Sequence, residues 1–189
     1  MSKSIKTVFF LLSLYILTMI GVTKYKGDSN NLRNLASIDF TKALLLHNDY
    51  RKQHHAPSLK INKELTMMAQ KYAENVAARD KFEHSKTTFH GKPKGENLSM
   101  RWSSSEITCN GNDVVLATKS WYNEVSQYDY NKPNFSLQTG HFTQVVWKNT
   151  KEVGFGVART KDKKKCIVVA NYFPAGNVIG SFKQNVLKK

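Results

Sequence analysis

Two short blocks hold the residues best suited to chemistry. Gly140-His141-Phe142-Thr143-Gln144-Val145-Val146-Trp147-Lys148 and Asn171-Tyr172-Phe173-Pro174-Ala175-Gly176-Asn177 each mix apolar side chains that anchor in a core with polar ones that can point into a cleft. An imidazole, amides and hydroxyls so placed suit hydrogen bonding, proton transfer or metal ligation. No enzyme motif is complete. The His-Glu-x-x-His pattern of metalloproteases does not occur, and Ser85 beside His84 lacks the elbow that exposes a nucleophile. The pair His54-His55, at a helix end before Pro57, reads as solvent-facing rather than as a ligand pair.

The elements that must position these blocks follow from periodicity. Phe40, Ala43, Leu44, His47 and Tyr50 recur at three- and four-residue spacing and predict a helix that ends before Pro57. Asn62 can cap a second helix whose apolar face is Leu65, Met68, Ala69, Tyr72, Val76 and Ala77. A third runs from Val114 to Tyr128, with Val114, Ala117, Trp121, Val125 and Tyr128 in register. Val153–Ala158 and Cys166–Phe173 are β-rich segments joined by Lys161-Asp162-Lys163-Lys164-Lys165 and read as an antiparallel hairpin with an exposed tip. Asn177–Val186 adds an edge strand or a tail. The fold class is α+β, with helices packed on a small antiparallel sheet.

Composition sets the frame. The 189 residues suit one domain plus a targeting segment, and 40% hydrophobic residues exclude a disordered chain. Lys3 and Lys6 precede an apolar run from Val8 to Val22, the pattern of a secretory signal. That run is shorter than the roughly 20 residues needed to span a bilayer. The small residues near its end, Gly21 and Thr23, make a poor cleavage site, which keeps a signal anchor open. The chain therefore divides into residues 1–22 as signal peptide or signal anchor, 23–36 as a polar linker and 37–189 as the domain. The expected location is extracellular, with membrane tethering by an uncleaved anchor as the alternative.

The net charge is +15, and +13 once residues 1–22 are set aside. Such a charge favours an anionic membrane surface or a glycosaminoglycan, while a secreted chain does not meet nucleic acid. Cys109 and Cys166 permit one disulfide, a loop-to-sheet staple, and spacing leaves the pairing open. Of two sequons, Asn134-Phe135-Ser136 lies in a polar turn and suits a glycan, whereas Asn97-Leu98-Ser99 abuts the candidate cleft.

The ordered motifs His47-Asn48-Asp49-Tyr50-Arg51, Gly95-Glu96-Asn97-Leu98, Trp121-Tyr122-Asn123-Glu124, the His141 block and the Asn171 block resemble the CAP or SCP superfamily of cysteine-rich secretory proteins, antigen 5 and plant pathogenesis-related proteins, over Phe40–Leu187. The wording from Val168 to Val178 is similar to the Golgi-associated plant pathogenesis-related branch, which is also cysteine-poor. That branch is held to membranes by myristoylation, and this chain lacks the Met-Gly start that the modification requires. The segment from Arg101 to Asp113 is longer here and reads as an extended surface loop at the cleft rim. The resemblance implies a three-layer α/β/α sandwich with a mainly antiparallel sheet between helices.

It also implies a cleft whose two histidines and two glutamates are His84, Glu96, Glu124 and His141. The resemblance places His84 just after the second helix, Glu96 in a glycine-preceded loop, Glu124 on the third helix and His141 after a further glycine. Imidazole nitrogens can bind zinc or another divalent metal, with carboxylates ligating or holding water. The same four groups also make sense as a polar network tying loops to helices, with no metal required.

Sterol-binding members carry aromatics in the pattern of Tyr128, Tyr130 and Phe135. Flat rings in a proline-containing loop suit a sterol ring system, and the alternative is that they pack as core. Tyr50, Met67, Met68 and Tyr72 are the residues that could line a fatty-acid groove between helices. The chain is thus expected to be a secreted, non-enzymatic binder of sterol or another lipid. The alternatives are a metal-dependent, peptidase-like hydrolase with Glu96 or Glu124 as base, and a venom- or allergen-like extracellular interaction protein. A homodimer is left open.

Overall fold

The structure is a computed structural model and describes residues 40–189; the expectations for residues 1–22 and 23–36, and for the start of the domain at 37, lie outside the described residues. Helix α1 spans Thr41–Gln53 and buries Ala43, His47 and Arg51, one residue per turn. Helix α2 spans Lys63–Arg79. As expected, the Asn62 side chain caps it, accepting from the backbone N–H of Glu64 at 2.9 Å and of Leu65 at 3.1 Å, and so satisfies donors that the first turn leaves unpaired. Its buried face is Leu65, Ala69, Ala73, Val76 and Ala77, with Met68 and Tyr72 at the half-buried margin.

The sheet has the order β1 (Lys60–Ile61), β3 (Glu152–Arg159), β4 (Lys165–Phe173) and β2 (Gly95–Trp102). Strands β3 and β4 form the expected antiparallel hairpin. The two-residue β1 pairs parallel to β3, and β2 pairs antiparallel to β4. Helix α2 lies directly on β3. A Cβ at Gly154 would stand 2.2 Å from the Leu65 carbonyl carbon, and one at Gly156 2.3 Å from that of Ala69, so only hydrogen at these positions permits the approach. The core on this face joins Ala69, Ala73 and Val76 to Leu98, Ile167 and Val169.

The opposite face is covered by α1 together with α3 (Gly111–Asn123) and the short α4 (Gly140–Val146). Asn110 and Asp113 form a reciprocal capping box at the start of α3, a pattern that satisfies two orphan donors at once. Here the ring of His47 packs 5.1 Å from Phe155. Its Nδ1–H donates to Ala43 O and its Nε2 accepts from the Tyr172 hydroxyl, both at 2.9 Å. Burial pulls the imidazole down to about 4, so it is neutral at physiological pH. Arg51 is fully buried and faces four carbonyls, those of Pro57, Val145, Trp147 and Thr150, at 2.8–3.0 Å. It fastens α1 to the end of α4. The result is the expected α/β/α sandwich.

Cys109 and Cys166 are joined, with their Cα atoms 5.4 Å apart, and staple the loop before α3 to β4. The lysine turn is exposed, but Lys163 pairs with Glu106 and Lys165 with Asp80, so part of its charge is spent internally. Among the described residues no helix is long and apolar enough to cross a membrane.

Five expectations are corrected. Glu96 stands in strand β2, not in a loop. Helix α3 ends at Asn123, and Glu124 opens a separate 3-10 turn, Glu124–Gln127, that completes the segment to Tyr128. Asn177–Val186 contributes no strand; a turn closes from Ser181 N–H to Val178 O and leads into α5 (Phe182–Asn185). Of the pair His54-His55, His55 is exposed as expected, but His54 is buried, with its Nδ1 donating to Leu187 O at 2.7 Å and its Nε2 meeting the Tyr122 hydroxyl at 3.0 Å. The four groove residues are divided: Tyr50 stacks on Tyr122 of α3, whereas Tyr72 packs into the α2 core, Met68 is half-buried on α2 and Met67 is exposed.

Candidate functional site

The four expected cleft residues form two His–Glu pairs, His84 with Glu96 and His141 with Glu124. In the first, His84 Nδ1 donates to Glu96 Oε1 at 3.1 Å. The Glu96 side chain is nearly enclosed at 6% exposure, against 62% for His84. Strand alternation points Glu96 toward the loop that follows α2, where it also accepts from Ser85 N–H at 2.7 Å, from the Ser85 hydroxyl, and from Lys94 Nζ at 2.8 Å. Burial alone would raise this carboxyl; the hydrogen bonds from His84, Lys94 and Ser85 outweigh it and hold the group down to about 2. Lys94 Nζ further reaches Ser85 Oγ at 2.9 Å and Asn171 Oδ1 at 2.8 Å.

In the second pair, His141 Nδ1 donates to Glu124 Oε1 at 2.7 Å. The ring stacks on Trp121 with centroids 6.1 Å apart, and Trp121 is itself fixed by donating to Leu98 O at 3.1 Å. Asn97, next in sequence to Glu96 and directed to the other face of β2 by strand alternation, donates to His141 O at 3.1 Å.

In both pairs a carboxylate engages Nδ1 and thereby fixes the tautomer that leaves the Nε2 lone pair free. No hydrogen bond among the described residues engages either Nε2. Each Nε2 is by its chemistry a potential ligand for a divalent metal, with the carboxylate as its orienting partner. Glu96 suits the role of general base poorly. A base works best with a pKa near the operating pH, and Glu96, tied to donors on three residues, lies far below it.

Among the described residues, the group of three potential ligands within 4.8 Å of one another is Cys109, Asp113 and Cys166. It is no metal centre, because the two sulfurs are bonded to each other and Asp113 is paired with Arg101 at 2.6 Å. A cavity of about 160 Å³ lies there, lined by Arg101, Leu116 and Val168 among others, and holds none of the four cleft residues.

The aromatic segment forms a second candidate site. Tyr128 is 8% exposed and packs edge-on against Phe142 at 5.5 Å and Tyr130 at 4.9 Å. Tyr130 is half-buried, and Phe135 is 44% exposed with its ring against Gly140. Three buried side-chain polar atoms of the described residues lack a hydrogen-bond partner: Tyr128 OH, Thr139 Oγ1 and Asn171 Nδ2. Two of them stand at the two ends of this one loop. Leu137 at its tip is 82% exposed. Asn177 donates to Gly140 O at 2.8 Å, and Val178 and Ile179, which follow it, are exposed. Sequence reasoning missed Lys94, Thr139, Leu137, Val178 and Ile179. Lys94 alone carried a signal, its two-residue offset from Glu96, which becomes legible only once β2 is recognised as a strand.

The description of the cysteine-rich secretory protein family, CAP, matches residues 44–172. The chain belongs to the CAP family. It is 43% identical over 148 residues to Golgi-associated plant pathogenesis-related protein 1 of Homo sapiens, covering 77% of this chain and 90% of that protein. It is 32% identical over 190 residues to Venom allergen 5 of Microctonus hyperodae, covering 88% of this chain and 78% of that protein. The crystal structure of NaASP2 with Zn2+ superimposes with a TM-score of 0.60 at 25% identity, covering 80% of this chain and 87% of that one. As a CAP domain, the chain has the sandwich of its relatives.

Proposed function

We propose that this CAP domain takes up an amphiphilic lipid, a sterol by preference, at the Tyr128–Thr139 loop, acts without catalysis, and works outside the cell. One observation carries the reading: two buried hydroxyls without partners, Tyr128 OH and Thr139 Oγ1, flank a loop whose tip exposes Phe135 and Leu137. A buried hydroxyl left unpaired is costly. A ligand with one polar end and a flat apolar body would satisfy such a hydroxyl while covering the rings.

The surroundings favour delivery from an anionic lipid surface. Val178 and Ile179 are exposed apolar residues, and Lys132 in the loop itself is exposed, with no ion pair to any described residue. Charge of this sign adds electrostatic attraction to apolar insertion. The Cys109–Cys166 bond supports an oxidising, extracellular setting, as does kinship with a venom protein.

Metal binding is the second part of the reading. His84 and His141 would hold a divalent ion such as zinc through Nε2, with Glu96 and Glu124 orienting the rings. When bound, the ion supplies local positive charge to the cleft.

The test is retention of radiolabelled cholesterol by the full chain. Phe135→Ala with Leu137→Ala, both exposed, should abolish retention with the fold intact. Tyr128→Phe should weaken it several-fold while leaving stability unchanged or raised, because an unpaired buried hydroxyl is removed. Retention that is unchanged in both variants would remove the loop from the account.

A further inference from the structure

We propose that Asn134 is an N-glycosylation site and that its glycan governs access of lipid to the neighbouring loop; the second half rests on the lipid reading above, the first does not. Two sequons are present, and the fold chooses between them. Asn97 is 2% exposed, pairs with Ala170 in the sheet, and donates from Nδ2 to His141 O at 3.1 Å. A sugar on that nitrogen would displace the hydrogen bond and force apart β2 and α4, so a glycosylated Asn97 and this fold exclude each other.

Asn134 is the reverse case. It is exposed and follows Pro133 in a loop held by Asp129, whose carbonyl accepts from Lys132 N–H and whose carboxylate accepts from Asn131 N–H. Its Oδ1 accepts from Phe135 N–H at 2.9 Å, while no described residue engages Nδ2. The reactive nitrogen therefore points to solvent, with the required hydroxyl two residues on at Ser136. The Cys109–Cys166 bond marks the oxidising compartment in which such transfer occurs. Transfer forms a bond from Asn134 Nδ2 to the anomeric carbon of an oligosaccharide carried on a lipid diphosphate. The anomeric C–O bond breaks, the diphosphate leaves with the electron pair, and the amide nitrogen loses a proton.

The position gives the glycan a consequence. Asn134 immediately precedes Phe135, and Leu137 follows at the exposed tip. A hydrated oligosaccharide rooted there stands over both apolar side chains and holds them away from a bilayer or a sterol. The bare and glycosylated forms would then differ in lipid uptake with the fold unchanged.

The experiment secretes the full chain, with its own N-terminal residues, from eukaryotic cells. Peptide mapping by mass spectrometry should find glycan on Asn134 and none on Asn97; a bare Asn134, or glycan on Asn97, overturns the site. Cholesterol retention is then compared among the glycosylated chain, the same chain after peptide-N-glycosidase, and Asn134→Gln from the same cells. Both glycan-free forms should retain several-fold more. Equal retention overturns the gating. No retention by any form overturns the gating together with the lipid loop, while the mass result still decides the site.

Discussion

Glu124 holds His141 at two levels. Its Oε1 accepts from the ring Nδ1–H at 2.7 Å, and its Oε2 accepts from the backbone N–H of His141 at 3.0 Å and of Phe142 at 3.1 Å. One carboxylate thus orients an imidazole and caps the helix that carries it, so the position of the ring and the start of α4 are a single structural event.

Glu124→Gln removes the charge that favours both functions. The expected result is a loss of about 1 kcal/mol of stability, the scale of a helix cap, and about 10- to 100-fold weaker zinc binding, the scale of a lost orienting partner. Denaturant unfolding and zinc titration by calorimetry measure the two effects. Zinc affinity equal to wild type would separate Glu124 from the metal reading.

Stability should fall with acidity in two windows. His47 is held down to about 4 from 6.5 by burial, so the unfolded chain binds its proton first. Stability is full above about 6.5 and declines as pH falls toward 4. Glu96 is held down to about 2 from 4.5 by hydrogen bonds that outweigh its burial. Its contribution is present above about 4.5 and is lost as pH falls toward 2. Unfolding measured against pH should lose the upper slope in His47→Gln and the lower slope in Glu96→Gln.

Arg51 is a charge buried among carbonyls rather than beside a carboxylate. Burial lowers its pKa to about 10, so it stays charged at neutral pH. Arg51→Ala takes the guanidinium donor from four carbonyls, of which Trp147 O keeps the N–H of Thr150, and should cost more than about 3 kcal/mol. Arg51→Lys, whose single ammonium cannot reproduce the planar fork, should recover only part of this. Denaturant midpoints give the comparison.

Cys109→Ala with Cys166→Ala opens a link across 57 residues. On the loop-entropy account, that length corresponds to about 4 kcal/mol. A fall in Tm with an unchanged lipid footprint is expected, since the bond lies at the α3 end of β4, away from the aromatic loop.

The helices and the hairpin were legible because their apolar residues keep a strict period and Asn62 is a strong cap. Strand β2 was not. Gly-Glu-Asn-Leu-Ser-Met-Arg-Trp contains no β-branched residue, and it is a strand because β4 pairs with it along its length, a tertiary cause. His54 misled for a similar reason, since its partners Leu187 and Tyr122 lie far along the chain. The His–Glu pairs were legible through family resemblance. Their supports, Lys94 and Asn171, and the unpaired hydroxyls of Tyr128 and Thr139 emerge only when packing brings separate segments together.

The central claim is that lipid enters at one loop. Isotope-edited NMR of the full chain titrated with cholesterol in dilute detergent tests it most directly. The account predicts shift changes concentrated at Tyr128–Thr139 and Asn177–Ile179, with the Tyr128 ring among the largest. Saturable changes confined to α2 or to the 160 Å³ cavity, with Tyr128, Phe135 and Leu137 unmoved, would contradict it.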